Sequence, residues 1–181
     1  MIFNHSLNSS TFPAIWKSGK VTALFKSEDQ HDPNNYRPIT ILPTVSKILE
    51  RVVHTQVYNY LNENKILTSR QFGFRPKLST EIALAHFSDT ILGNMDKGLV
   101  TGAVFLDLAK AFDTVDHACL YKKFITVDLS AECVNWFKSY LSNRSQVTAL
   151  SSHISSSKPV PVDVPQGSVL AWSTSLPTFC E

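Results

Sequence analysis

The clearest pattern in the chain is an apolar stripe at helical spacing between Val45 and Leu61. Val45, Ile48, Leu49, Val52, Val53, Val57 and Leu61 recur every three or four residues, which predicts a helix with one buried face. Thr44 follows Pro43 where a cap is expected, and Asn62 to Asn64 stand where the helix stops. Lys47 and Arg51 lie four apart on the other face. Like charges at that spacing slightly destabilise an isolated helix, and either water or a nearby polyanion relieves them. A second helix is expected over 80–92, starting near Ser79 or Thr80, with Leu84, Phe87 and Ile91 on one face. Gly93-Asn94 or the turn Asp96-Lys97-Gly98 ends it. A third follows Leu129. Ser130 caps it, Leu129 packs on Val134 as a hydrophobic staple, and Val134, Phe137 and Leu141 form its buried stripe.

Strand patterns are shorter. Lys20 to Lys26 is a strand candidate flanked by lysines, and a polar loop follows with Asp32-Pro33-Asn34 as turn signals. Arg37 precedes Pro38 and is therefore expected in extended chain. Lys26 and Arg37 would flank one hairpin-like element. Two cations so placed can grip a triphosphate, Arg through its planar fork and Lys as a point charge, or can simply be solvated. Leu99 to Asp107 reads as the next strand; its apolar run, Gly102 to Leu106, reads as buried and carries the acid at the strand's carboxyl end. An acid there is costly unless hydrogen-bonded, paired or bound to metal. Ala109 to His117 reads as loop and helix, with Asp116 in a capping or solvated role. Gln146 to Leu150 is a further strand, Ser151 to Lys158 a hairpin or exposed loop, and Pro159 to Val162 extended but poor as a central strand. Ser69 to Pro76 is a loop with Gly73 at a tight backbone position. Val164 to Leu170 is a turn between two apolar pieces. Residues 1–12 are mostly polar and without period, and are expected as a flexible N-terminus.

With 181 residues the chain is one domain or part of a larger one. Its net charge of +2 argues for no partner, but the distribution is uneven. Residues 1–77 carry ten Lys and Arg against five Asp and Glu, and residues 78–181 carry seven against ten. That suits an anionic ligand held partly through metal ions, or an ordinary solvated surface. Arg70, Arg75 and Lys77, interleaved with Phe72 and Phe74, make a weak nucleic-acid cue. Cys119, Cys133 and Cys180 have no metal spacing and an odd count, so they read as free thiols in a reducing compartment. With no signal peptide and no stretch of transmembrane length, an intracellular protein, nuclear or cytoplasmic and away from membranes, is expected.

Four stretches, in this order and spacing, resemble the reverse transcriptase domain of non-long-terminal-repeat retrotransposons, the LINE and jockey-like class. They are Asp32-Pro33-Asn34-Asn35-Tyr36-Arg37-Pro38-Ile39, Gln71-Phe72-Gly73-Phe74-Arg75, Phe105-Leu106-Asp107 through Ala111-Phe112-Asp113-Thr114-Val115-Asp116-His117, and Val164-Pro165-Gln166-Gly167-Ser168-Val169-Leu170. Asn135 to Leu141 is similar to the family's connecting helix, and the resemblance covers about residues 13–170. It implies RNA-directed DNA synthesis on an RNA template with a DNA primer and deoxynucleoside triphosphates. Asp107 would be the first catalytic carboxylate, bound to two Mg²⁺ ions, with the backbone carbonyl near Leu108 as a second ligand. One ion would activate the primer hydroxyl and the other neutralise the triphosphate. Phe112 would be the steric gate against a ribose 2′-OH. Lys26 and Arg37 would hold the incoming triphosphate, Gln166 and Gly167 would pack against the nucleotides, and Arg75 would lie near the template.

The departures from the family pattern shape the expectation. No Asp-Asp element follows the Pro-Gln-Gly loop, Ala171-Trp172-Ser173-Thr174-Ser175 replaces a Gly-Pro and helix, Asp163 replaces a Gly, and Ala23 replaces a Pro. The expected fold is α+β: a partial right-hand polymerase, with fingers over 13–98, an incomplete palm over 99–170 and a divergent tail over 171–181. One aspartate cannot clamp two cations, so tight Mg²⁺ binding and polymerase activity are not expected of the fragment alone. The alternative to a polymerase is a catalytically inactive nucleic-acid-binding remnant. An unrelated Mg²⁺-dependent nucleotide hydrolase lacks its Gly-rich phosphate loop here.

Overall fold

A hairpin of β1 (Ser18–Phe25) and β2 (Tyr36–Ile41) forms one side of a mixed sheet. The computed structural model describes residues 2–107, 115–150, 153–160, 164–165 and 167–171. β1 pairs antiparallel with β2, from Lys20↔Ile41 to Phe25↔Tyr36, and parallel with β3 (Arg144–Leu150), from Ser18↔Ser145 to Thr22↔Ala149. The far side of β3 takes β4 (His153–Ile154) at its end and β5 (Lys158–Val160) at its start, both antiparallel. Pro38 and Pro159 fall on outer strands, where a missing ladder N–H is tolerated. Along β1, Gly19 and Val21 are buried while Lys20, Thr22 and Leu24 are exposed, the alternation of a sheet covered on one face.

Among the described residues five α-helices accompany the sheet: α1 (Ile2–Asn8), α2 (Thr44–Glu63), α3 (Thr80–Met95), α4 (His117–Thr126) and α5 (Ala131–Leu141). The expected mixture of helix and strand is thus present. The core gathers Leu49, Val53, Val57 and Leu61 of α2, Leu120 and Phe124 of α4, and Val134, Trp136, Phe137, Tyr140 and Leu141 of α5. Ser130 caps α5 by accepting from the Cys133 N–H at 3.3 Å, as read from the sequence, and Asp116, read only as capping or solvated, caps α4 by accepting from Cys119 N–H at 3.0 Å. Residues 1–12, read as a flexible N-terminus, contain α1 and bring Phe12 into the core. Its ring meets Tyr140 and Trp136 edge-on at 4.9 and 5.6 Å, and its N–H donates to Ser139 Oγ at 2.9 Å.

Several local expectations are corrected. Pro43, not Thr44, is the N-cap of α2, and no side chain caps it. The α2 stripe is rotated: Val45 and Ile48 are exposed, while Ser46 and Glu50 are buried. α3 runs through Gly93 to Met95, and it buries no residue. Gly73 stands in open space, and the left-handed residue beside it is Phe74. The largest correction is the Leu99–Asp107 strand. Residues 101–107 form no strand, and Val104, Phe105 and Leu106 are 85, 83 and 81% exposed. The apolar run expresses a demand for burial, and no described strand pairs with it; Phe105 meets the ring of Phe87 on α3, at 5.9 Å. Among the described residues, no helix is long and apolar enough to cross a membrane.

Candidate nucleotide-binding surface

The hairpin register decides where the two candidate cations lie. Leu24 faces Arg37 across the pair, and the ladder continues one step beyond Phe25↔Tyr36, where Lys26 N–H donates to the Asn35 carbonyl at 2.8 Å. Alternate residues of a strand share a face, so Lys26 and Arg37 are diagonal neighbours on one face, about 7–8 Å apart in such pairs. Both are exposed.

The loop between the strands is built from its own hydrogen bonds. Asp32 accepts from Asn34 N–H and Asp29 from His31 N–H, both at 2.9 Å, and Asn35 Nδ2 donates to the Asp29 carbonyl at 2.9 Å. Tyr36 hydroxyl donates to the Gln30 carbonyl at 2.9 Å, and its ring lies 5.4 Å from that of Phe25. The Asp-Pro-Asn-Asn-Tyr segment therefore shapes the tip that precedes Arg37.

The Pro-Gln-Gly loop returns to the same hairpin. Gly167 has φ +123°, and a side chain there would collide with the carbonyl oxygen of Thr40 on β2. Val164 and Leu170, buried on either side, anchor the loop. A network missed in the sequence then fixes it. Glu50 Oε2 accepts from Ser168 Oγ and Val169 N–H, both at 2.9 Å, while Oε1 accepts from Ser46 Oγ at 2.7 Å. Ser168 gives its one proton to Glu50, so Tyr140 hydroxyl is the donor in the 2.7 Å contact between them, and Leu170 N–H donates to the same oxygen at 2.9 Å. Burial, then the charge of Glu50, holds the Tyr140 hydroxyl well above its usual pKa, which keeps it a donor. Glu50 was legible in one respect. It lies four residues after Ser46 and three before Val53, on the stripe that α2 buries.

The remaining candidates are scattered. Asp107 is exposed in the irregular segment after Leu106. Leu108, Phe112 and Gln166 lie outside the described residues. Arg75 folds back on its own loop, with Nη1 donating to the Thr68 carbonyl at 2.9 Å. Among the described residues, no group of three or more His, Cys, Asp or Glu is placed to hold a metal ion.

Residues 25–175 match the family described as reverse transcriptase (RNA-dependent DNA polymerase). The chain belongs to that family. It is 34% identical over 171 residues to the probable RNA-directed DNA polymerase from transposon X-element of Drosophila melanogaster. It is 33% identical over 172 residues to the RNA-directed DNA polymerase from mobile element jockey of the same fly. Each comparison takes in 94% of this chain and 19% of the relative, so the chain spans about a fifth of the length of these curated relatives. A Pol polyprotein from type-1 retrotransposable element R2 of Popillia japonica is 24% identical over 131 residues, covering 72% of this chain and 18% of that protein. The resemblance to non-long-terminal-repeat retrotransposon polymerases, drawn above from four motifs, is the one these relatives give. In this reverse transcriptase family member the matched span includes β2, α2 to α5, the rest of the sheet beyond β1 and the Glu50-bound loop.

Proposed function

We propose that this chain is the fingers side, with part of the palm, of a right-hand reverse transcriptase, and that its β1–β2 hairpin grips the triphosphate of an incoming deoxynucleotide. The observation that supports this most is the diagonal placement of Lys26 and Arg37 on one hairpin face, with the Gly167 loop seated on the same β2 strand. Arg37 supplies a planar fork of donors and Lys26 a mobile point charge, a combination suited to neighbouring phosphates. Gln166 and Gly167 would pack near the nucleotide, Phe112 would screen the ribose 2′-OH, and Arg75 would approach the template strand.

The roles toward Mg²⁺ that the resemblance gives Asp107 and the Leu108 carbonyl are not carried by these residues alone. A hard cation needs several oxygen ligands, and one exposed carboxylate does not fit a two-ion site. The reading for this chain by itself is therefore binding without synthesis: nucleotide on the hairpin, and RNA template and DNA primer through the basic first half. The nucleic-acid contact will weaken steeply with salt, as phosphate contacts do.

Titration of the whole chain with a fluorescent deoxynucleoside triphosphate tests the proposal. Lys26→Ala and Arg37→Ala are each expected to weaken binding about tenfold, the effect of losing a charge-assisted hydrogen bond. Unchanged affinity in both variants would sink the nucleotide reading. Primer extension by the purified chain, expected to give no product, would overturn the second part if product formed.

A further inference from the structure

We infer that Glu50 is a positioning residue: its buried carboxylate fixes the Pro-Gln-Gly loop against the strand that carries Arg37. The inference deepens the nucleotide-binding reading and rests on it for its functional consequence.

The connection forms a closed circuit. β2 runs through Arg37 and Thr40, then Leu42 and Pro43 lead directly into α2. Two turns into α2, Glu50 reaches Ser168 and Val169, residues 118 and 119 positions further along the chain. The residue before them, Gly167, then lies so close to the Thr40 backbone that a Cβ has no room. The helix and the loop therefore hold β2 from two directions.

The placement of a carboxylate here needs explaining. Glu50 is 0% exposed, on a helix face otherwise made of Leu49, Val53, Val57, Leu61 and the small Ser46. Burying a carboxylate is unfavourable unless its oxygens are satisfied, and an apolar residue of similar size often gives equal or greater stability. An apolar side chain could not, however, bind a hydroxyl and an N–H at defined points. Glu50 accepts three hydrogen bonds, and Ser168 uses its one proton and both lone pairs on Glu50, Tyr140 and Leu170. Each member has a single arrangement that satisfies it, so the loop has one register. The residues preceding Ser168 are those that the resemblance sets beside the nucleotide. A shift of the loop would move them relative to Lys26 and Arg37.

The test uses Glu50→Gln, Ser168→Ala and Lys26→Ala in the whole chain, with amide hydrogen exchange read at Val169 and Leu170 and deoxynucleotide affinity read by fluorescence. Ser168→Ala removes only one hydroxyl and guards against misfolding of Glu50→Gln. Both loop variants are expected to exchange at least about tenfold faster at Val169 and Leu170 than the parent, with exchange in α4 unchanged, and to bind nucleotide several-fold more weakly. The variant carrying both Glu50→Gln and Ser168→Ala is expected to lose less than the sum of the two single variants, because the two residues share one hydrogen bond. Lys26→Ala is expected to weaken nucleotide binding and leave loop exchange untouched. Unchanged exchange at Val169 and Leu170, or a uniform rise across all helices, would overturn the positioning role. Faster loop exchange with parental nucleotide affinity would overturn its functional consequence, while a Lys26→Ala defect in the same experiment would leave the hairpin reading standing.

Discussion

Gly167 tolerates no other residue. Its φ of +123° is reached without strain only by glycine, and an added Cβ would strike the Thr40 carbonyl. Gly167→Ala is expected to destabilise the chain by roughly 1–3 kcal/mol, the scale of one such strained residue, and this is read as a lower urea midpoint with an unchanged slope. The Pro-Gln-Gly motif was visible in the sequence, but its structural reason was not, because the Thr40 carbonyl lies far away along the chain. The same holds for Glu50. A glutamate between Leu49 and Arg51 reads as a surface residue until Ser168 and Val169 are brought to it. Lys26 and Arg37 were placed correctly on one hairpin because a turn and a proline are local signals. The position of Asp107 was misjudged because it depended on a strand that needs a partner.

At the scale of elements, three helix starts share one electrostatic device. Asp116 is held below its usual 3.8 by the backbone N–H groups of Cys119 and Ala118. Glu81 is held below its usual 4.5 first by the Ser79 hydroxyl, and Glu132 first by its own backbone N–H and then by Ser130. A depressed carboxylate pKa stabilises the folded state fully above the unfolded value and loses that contribution as the pH falls through the folded value. Stability is therefore expected to be flat above pH 4.5 for these groups and to decline below about 3.8 to 4.5. Urea midpoints measured across that range check it. Asp116→Asn keeps a capping oxygen but removes one titration, so its acid-side decline should be shallower. The capped start of α5 was legible because the cap and the helix lie side by side in sequence, whereas α4 itself was not read, its first residue being taken as the end of a preceding loop and helix. α3 shows the limit of such reasoning. Its start near Ser79 was expected, and Ser79 caps it, yet none of its residues is buried, since periodicity gives the direction of a face but not what lies against it.

Across the whole molecule, the first residues and the last helix support each other. Phe12 touches Trp16, Trp136 and Tyr140, and Ser6 Oγ accepts from Trp136 Nε1 at 3.0 Å. Phe12→Ala is expected to destabilise the chain by about 3–5 kcal/mol, a large share of the ~5–15 kcal/mol of a typical domain. Near-ultraviolet circular dichroism should lose its aromatic signal at lower urea. A reading of residues 1–12 as irregular followed from their polarity. It missed that one phenylalanine in a polar stretch can be held by three aromatics from elsewhere.

The parallel pairing of β1 with β3 also sets a timetable. Ser18 meets Ser145, an interval of 127 residues that Phe12 and Ser139 repeat. At ~5–20 residues per second of synthesis, β1 would leave the ribosome roughly 6 to 25 s before its inner neighbour exists. The β1–β2 hairpin can close within microseconds of emerging, so it waits with one edge unpaired. Lys20 on β1 and Lys26 just past its end supply the charge that discourages a second nascent chain from taking that edge first. Lys26, assigned above to a triphosphate, would thus have an earlier task, guarding the strand until its own partner is made.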